Sequence, residues 1–188
     1  MKTSLYYIAI VVPEPLQSEI TAFKTDIHQR IGAISALKSP AHITLFPPFH
    51  WEISNEKALK AAIDAFTFSI FEKRGPPEEG SGQAIRINLK NFGFFRKSTV
   101  FIQPEANESL SLLRGALLDY LSTHISLIDE KDAARPFHPH ITLVNRDISE
   151  TDFDLIWAEY AHKTFEAGFS VATISLLRKG EKRWEIVN

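Results

Sequence analysis

The chain contains the same tetrapeptide twice, as His42-Ile43-Thr44-Leu45 and as His140-Ile141-Thr142-Leu143. In a β-strand, residues two apart point to the same face, so each histidine should project together with its threonine while the apolar residues face the core. If two such strands meet across a cleft, they present two imidazole rings and two hydroxyl groups to one point. That arrangement suits a tetrahedral anion such as a phosphate ester.

Chemistry at a phosphate ester needs one group that removes a proton from the nucleophile and another that returns a proton to the leaving oxygen. Histidine suits both roles, because its unperturbed pKa of about 6.5 leaves both protonation states accessible near neutral pH. Each positioned acid or base typically contributes about 10²- to 10⁴-fold in rate. We therefore predict that His42 and His140 are catalytic and that Thr44 and Thr142 donate hydrogen bonds to phosphate oxygens. The scheme requires no metal and no cofactor.

The motif has two other interpretations. A histidine in a strand can be an ordinary hydrogen-bonded residue, and threonine is a common strand former, but the repetition of four residues favours the catalytic interpretation. A histidine-ligated metal site would need a third or fourth ligand, which the sequence does not obviously place.

Three further residues near the motifs are secondary candidates. Phe46 shares strand parity with His42 and Thr44, so it either stacks a base at the cleft edge or caps the core. Arg146 is an even number of residues from His140, so it should lie on the same face of the strand, and it either contacts a phosphate or is solvated. His138 is the rival of His140, and the preference for His140 rests on the repeat.

Two clusters of basic residues could supply a local positive field. Arg86, Lys90, Arg96 and Lys97 surround the aromatic segment 91–95, and Arg178, Lys179, Lys182 and Arg183 surround Gly180. Mixed basic and aromatic residues are typical of RNA-contacting loops. The alternative for the first cluster is a solvated hairpin whose aromatic rings turn inward.

The first half of the chain predicts a strand, a helix, the motif strand and a second helix. Leu5 to Val12 is rich in β-branched and aromatic residues, and the motif segment His42 to Phe46 is expected to end at Pro47-Pro48. The first helix starts near Pro15 and the second is capped by Asn55. Their apolar faces are Leu16, Ile20, Phe23, Ile27 and Ile31 for the first, and Leu59, Ala62, Ile63, Phe66 and Ile70 for the second.

A similar order returns after Lys73 to Gly82, which has three glycines, two prolines and four charged residues and is typical of a linker. The predicted strands there are Ala84 to Lys90, Thr99 to Gln103, His140 to Val144, Phe169 to Leu177 and Arg183 to Val187. One predicted helix starts near Asn107 with Leu110, Leu113, Leu117 and Leu121 on one face, and the other starts at the capping box Ser149 to Asp152 with Phe153, Ile156, Trp157 and Tyr160 inward.

This self-similarity predicts a duplicated unit. We expect an α+β fold in one domain, 1–188, made of two pseudo-symmetric lobes near 1–75 and 83–188 between which strands can exchange. Each lobe should be a mainly antiparallel sheet with helices on its outer face, so that the two free faces form a central cleft.

Composition excludes several other classes of protein. The net charge is −2 and the pI is about 6.4, so the chain has no overall positive field to hold long nucleic acid. The chain has no cysteine, which removes disulfides and thiolate chemistry and fits a reducing cytosol. No run approaches the roughly 18 apolar residues of a membrane span. We therefore expect a soluble, cytoplasmic protein with no evident protein partner.

The paired motif, separated by about a hundred positions, resembles that of the 2H phosphoesterase superfamily, which includes 2′-5′ RNA ligases and cyclic phosphodiesterases. Tyr6 to Ile10 resembles the opening strand of that family, and Ile174 to Val187 resembles its closing hairpin. The segment Phe46-Pro47-Pro48-Phe49 departs from the ligase-like members.

The resemblance implies a bilobal α+β fold and chemistry at phosphodiesters of ribose 2′ or 3′ oxygens, with His42, Thr44, His140 and Thr142 as the active set. The expected partner is a small nucleotide or an RNA end with a terminal or cyclic phosphate. The alternative function is a non-catalytic module that binds such phosphates. The pseudo-symmetry leaves open which histidine is the base and which is the acid.

Overall fold

The structure, a computed structural model, describes residues 2–71, 84–127 and 136–188. In these ranges the strands are β1 (Thr3–Val11), β2 (His42–Glu52), β3 (Ile85–Phe95), β4 (Thr99–Pro104), β5 (Ile141–Asn145), β6 (Glu166–Val171), β7 (Ser175–Lys179) and β8 (Trp184–Ile186). The α-helices are α1 (Leu16–Ile31), α2 (Glu56–Phe71), α3 (Glu108–Ile125) and α4 (Glu150–Tyr160), and 3-10 helices cover Ser35–Lys38, Ile53–Asn55 and Arg96–Ser98. The expected linker at 73–82 lies outside the described residues.

The strands form two antiparallel four-stranded sheets, with the orders β2-β1-β7-β8 and β5-β4-β3-β6. Helices pack on these sheets, so the predicted α+β class is confirmed. The two motif strands, β2 and β5, are edge strands at corresponding positions, and each pairs with the strand before it in the chain.

The core lies between the sheets and the helices. On β1, alternate residues Tyr6, Ile8 and Ile10 are at most 1% exposed and belong to this core, whereas Tyr7 and Ala9 face the opposite side and pack with Leu177. A strand buried on both faces explains why residues 5–12 form a nearly continuous apolar run.

Local signals in the sequence explain where two helices begin. The side chain of Asn107 accepts a hydrogen bond from the Leu110 amide at the start of α3. Ser149 and Asp152 form the predicted capping box at the start of α4, in which each side chain bonds the backbone amide of the other. These contacts satisfy amides that have no partner inside the helix.

The expected end of the motif strand at Pro47-Pro48 is wrong, because β2 continues to Glu52. The strand lies at the edge of its sheet, where proline's missing N–H group removes no bond to a second neighbour. The register against β1 is shifted near the prolines, between the pairs Tyr6 with Phe49 and Ile8 with Phe46.

The single strand expected from Phe169 to Leu177 is also wrong. This region contains two strands, β6 and β7, which belong to different sheets. No glycine or proline lies between positions 169 and 177 to mark the break. As a result β7 and β8, near the end of the chain, complete the sheet that contains β1 and β2.

Candidate active site

A cavity of about 460 Å³ is lined by residues of both sheets. These residues include His42 and Thr44 from β2 and their counterparts His140 and Thr142 from the second motif. The isoleucines that alternate with them, Ile43 and Ile141, are 0% exposed. The four polar side chains of the repeated motif are thus brought to one place, as the alternation of a strand requires.

The pairing of each motif strand with its neighbouring strand is also the same in the two sheets. In the first sheet Thr44 pairs with Ala9 and the next pair is Phe46 with Ile8, so Leu45 is an extra residue. In the second sheet Thr142 pairs with Phe101 and the next pair is Val144 with Val100, so Leu143 is the extra residue. A bulge of this kind locally bends and re-aims a strand, and here it directly follows each motif threonine.

Both histidine rings are held by the same backbone contact. Nδ1 of His42 lies 2.7 Å from the carbonyl oxygen of Pro40, and Nδ1 of His140 lies 2.7 Å from the carbonyl oxygen of His138. A carbonyl can only accept a hydrogen bond, so Nδ1 is the donor in each ring. Nε2 is therefore the ring nitrogen left for substrate, as an acceptor when the ring is neutral and as a donor when it is protonated.

The surroundings of His42 favour the neutral ring. Burial lowers the pKa of His42 to about 4, and the positive charges of Lys24 and His140 act in the same direction against the hydrogen bond to Pro40. The ring of Tyr7 lies 4.8 Å from the His42 ring, centroid to centroid, and covers one side of it. A neutral imidazole at this position can accept a proton.

His140 has an aromatic environment of a different kind. The ring of Phe95 stands perpendicular to it at 5.0 Å, and the ring of Phe101 lies 5.4 Å away. Burial lowers the pKa of His140 and the positive charge of His138 acts in the same direction, whereas the hydrogen bond to the His138 carbonyl opposes this shift. The two motif histidines, equivalent in the sequence, therefore differ in their neighbours.

Lys24 and Tyr7 are among the cavity residues that the sequence motifs did not indicate. Lys24 lies on α1 and is only 3% exposed, and its Nζ donates to the carbonyl oxygens of Ala36 at 3.2 Å and Ser39 at 3.1 Å. The Tyr7 hydroxyl lies 2.9 Å from the Ser39 hydroxyl. The available signal was a lysine four residues after Ile20, where the buried stripe of the helix should continue.

Arg146 and Asp147 follow directly on β5. Arg146 lines the cavity, is exposed, and has a left-handed backbone with φ of 68°, which turns the chain at the end of the strand. Asp147 accepts hydrogen bonds from the amides of Ile34 and Ser35, both at 2.7 Å. The carboxylate thereby links the end of the second motif strand to the start of the 3-10 helix Ser35–Lys38. Residues of this 3-10 helix also line the cavity.

Phe46 does not lie at the cavity. Its side chain is 1% exposed and belongs to the main core, with the ring of Phe49 at 5.5 Å. The bulge at Leu45 reverses the parity of the strand, so a residue that should share the face of Thr44 points to the other side. Of the two alternatives for Phe46, the structure supports the core residue and corrects the stacking role.

Neither the rival histidine His138 nor the basic residues of the first cluster are among the residues that line the cavity. His138 is exposed and its ring is 6.3 Å from Phe95. In the first cluster Phe92 is buried, Phe94 packs on Phe153 and Trp157, and Phe95 reaches His140. In the second cluster Lys179 lines the cavity beside Trp184, whereas Arg178 makes an ion pair with Glu56 at 2.9 Å.

The described residues offer neither a metal-binding cluster nor a membrane span. In the ranges 2–71, 84–127 and 136–188, no three or more histidine, aspartate or glutamate side chains are grouped so that they could hold a metal ion. Within the same ranges no helix combines the length and apolar character needed to cross a membrane.

A comparison with known proteins identifies the family of the chain. Residues 12–183 match the family model described as the 2′-5′ RNA ligase superfamily. No curated protein matches the chain significantly.

Several solved structures share the fold. Apo LigT of E. coli is 17% identical, with 100% of this chain and 96% of that chain covered and a TM-score of 0.59. TT0787 of Thermus thermophilus is 18% identical, with 98% and 95% covered and a TM-score of 0.63. E. coli LigT complexed with 3′-AMP is 19% identical, with 100% and 97% covered and a TM-score of 0.64. The resemblance to 2H phosphoesterases is confirmed, and the chain belongs to the 2′-5′ RNA ligase superfamily.

Proposed function

We propose that the protein is a metal-independent phosphoesterase that acts on 2′,3′-cyclic phosphates or 2′-5′ phosphodiesters of small nucleotides or RNA ends. The proposal is carried by one observation: the two motif histidines and threonines line a single cavity, with both Nδ1 atoms bonded to backbone carbonyls. Membership of a superfamily named for 2′-5′ RNA ligation supports the substrate class.

Hydrolysis of a cyclic phosphate in this cavity would use the motif residues as follows. A neutral imidazole takes a proton from water through Nε2 while the water oxygen attacks phosphorus. The bond from phosphorus to one ribose oxygen breaks, and the protonated imidazole gives its proton to that oxygen. Thr44 and Thr142 donate hydrogen bonds to the non-bridging oxygens, where negative charge builds. If a 5′-hydroxyl group takes the place of water as the nucleophile, the same base and acid form a 2′-5′ linkage: the base takes the hydroxyl proton, the bond from phosphorus to the 3′ oxygen breaks, and the acid protonates that oxygen.

In a bound small nucleotide, the phosphate would lie at the motif residues and the base would contact the cavity wall. The solved LigT complexes with 3′-AMP and with ATP are relatives in fold at 19% and 20% identity. In this chain the half-buried ring of Trp184 lines the cavity and packs edge-on against Tyr7 at 4.6 Å. We assign Trp184 the base-contacting role that the sequence had suggested for Phe46, because a base can stack on an indole ring at the cavity wall.

The decisive experiment measures turnover of 2′,3′-cyclic nucleotides and 2′-5′-linked dinucleotides, with the position of the product phosphate identified by phosphorus NMR. We expect turnover to persist in the presence of chelators. The turnover rate should fall by more than about 100-fold in His42→Ala and in His140→Ala. His50→Ala is the matched control, because His50 lies on the same strand as His42 but outside the cavity lining.

Two outcomes oppose the proposal. Full activity in either motif variant would remove the two-histidine mechanism. A cyclic nucleotide that binds but is recovered unchanged would favour the non-catalytic binding module instead.

A further inference from the structure

We propose that Lys24 supplies a fixed ammonium group at the His42 side of the cavity, where it binds a phosphate oxygen and makes His42 the proton acceptor and His140 the proton donor. The binding of an anion by Lys24 is a property of the cavity and does not depend on the reaction that the protein catalyses. The assignment of base and acid rests on the proposed function.

The first argument is the burial of this charge. Lys24 is 3% exposed and is the one buried charged side chain in the part of the chain that the structure describes. It occupies the inner stripe of α1 with Leu16, Ile20 and Ile27. Burying an ammonium group is costly unless its charge is compensated, so an apolar residue would suit a purely structural role better.

The second argument is the set of partners. Nζ donates to the carbonyl oxygens of Ala36 and Ser39, and no carboxylate within residues 2–71, 84–127 and 136–188 pairs with it. An ammonium group has three protons to donate, so one remains for a ligand. Because Lys24 lines the same cavity as His42 and Thr44, a phosphate oxygen in that cavity would supply both the third acceptor and the compensating charge.

The third argument is that Lys24 breaks the symmetry of the site. The helix at the corresponding place in the second half of the chain, α3, buries only leucines: Leu110, Leu113, Leu117, Leu118 and Leu121. The charge of Lys24 is among the causes that lower the pKa of His42 and is not among those that lower the pKa of His140, where the charge of the exposed His138 acts instead. A nearby positive charge disfavours the protonated form of an imidazole, which selects His42 as the neutral partner.

The other charged groups that line the cavity are Lys38, Arg146 and Lys179, and the other titratable groups are the Tyr7 hydroxyl and His140. Arg146 is exposed, and water screens an exposed charge far more than a buried one. Burial raises the pKa of Tyr7 to about 12, so this hydroxyl stays neutral. Burial lowers the pKa of Lys24 to about 8, so its ammonium is present at neutral pH and is lost in mild alkali.

In the resulting reaction, water gives its proton to Nε2 of His42 as the water oxygen bonds to phosphorus. Nε2 of His140 gives its proton to the leaving ribose oxygen as the old ester bond breaks. Lys24 neutralises the non-bridging oxygen on the His42 side. No redox partner or additional reactant is needed.

The test uses inorganic sulfate, whose charge does not change over the pH range of interest. Calorimetry at pH 7 compares the wild type with Lys24→Met, Lys24→Arg and the control Lys57→Met, an exposed lysine on α2. We expect sulfate to bind roughly 10- to 100-fold more weakly to Lys24→Met, the size of one charge-assisted hydrogen bond. Lys24→Arg and the control should stay within a few-fold, and unchanged affinity in Lys24→Met would overturn the proposal.

A histidine NMR titration tests the assignment of the base separately. In Lys24→Met the His42 ring should titrate at higher pH than in the wild type, while His140 should move little. Equal movement of both rings, or none, would contradict the assignment.

A third measurement needs no Lys24→Met variant, which guards against failure of that variant to fold. Sulfate affinity of the wild type should fall as pH rises through about 8, whereas Lys24→Arg should keep its affinity well above that pH because arginine remains charged. Parallel curves would oppose the proposal. None of these readouts needs turnover, so an inactive protein whose sulfate binding depends on Lys24 would reject the proposed function and retain the anion site.

Discussion

Leu45 and Leu143 occupy the same place in the two sheets, because each is the extra residue that follows a motif threonine against the neighbouring strand. Up to the threonine, the side chains alternate between cavity and core. Beyond the bulge the parity is reversed, and Phe46 and Val144 are both 1% exposed. The repeat thus extends from residue types to backbone geometry.

Replacing Phe46 should affect stability rather than ligand binding. Removing a fully buried phenyl ring leaves a cavity, so we expect Phe46→Ala to lower the free energy of unfolding by about 3 to 5 kcal/mol. Urea unfolding measures this loss, and sulfate calorimetry on the folded variant should give wild-type affinity. Phe95→Ala, which removes a ring that is 37% exposed, is the comparison and should cost much less stability. A stable Phe46→Ala with weakened nucleotide binding would restore the stacking role.

Replacing the motif threonines should reduce the stabilisation of the transition state. Thr44→Val and Thr142→Val keep the shape and remove one hydroxyl donor each, so kcat/KM for a cyclic nucleotide should fall by about 10²- to 10³-fold. Thr44→Ser and Thr142→Ser keep the donor and should retain most of the activity. Steady-state kinetics with the four variants test this directly, and valine variants as active as the serine variants would show that the hydroxyls do not contact the phosphate.

His42 should make stability fall in mild acid. Its pKa is about 4 in the folded protein and about 6.5 in an unfolded chain, so between these values only the unfolded state binds the proton. As pH falls from about 6.5 to about 4, the free energy of unfolding should therefore decrease by about 3 kcal/mol in total. Urea unfolding at a series of pH values across this window should show a steeper decline for the wild type than for His42→Asn. Identical slopes would mean that the pKa of His42 is not lowered in the folded protein.

Asp147 should hold the cavity wall through the amides of Ile34 and Ser35. Burial raises the pKa of this carboxyl, but the hydrogen bonds outweigh burial and the net shift is downward, so the stabilisation is present near neutral pH and is lost in acid. Because the side chain is largely exposed, we expect Asp147→Ala to cost only about 1 kcal/mol. Hydrogen exchange should quicken at Ile34 and Ser35, and Asp147→Asn, which keeps an acceptor, should show a smaller effect. Unchanged exchange in Asp147→Ala would exclude this anchoring.

The family, the α+β class and the two motifs could be predicted from the sequence, because they depend on local features. Alternation along a strand places His42 with Thr44, and the spacing of Leu110, Leu113, Leu117 and Leu121 fixes the inner face of α3. The capping box at Ser149 is a contact between residues three apart. Such signals are short-range, and each can be interpreted without knowledge of the other half of the chain.

Only the tertiary structure decided which strands become neighbours, and with them the details of the site. The edge position of β2 lets it continue through Pro47-Pro48, and the bulge at Leu45 sends Phe46 into the core. The same holds for Lys24, whose carbonyl partners and cavity come from segments distant in sequence. Burial and electrostatic environment are sums over such distant neighbours, so the histidines of two identical tetrapeptides acquire different properties.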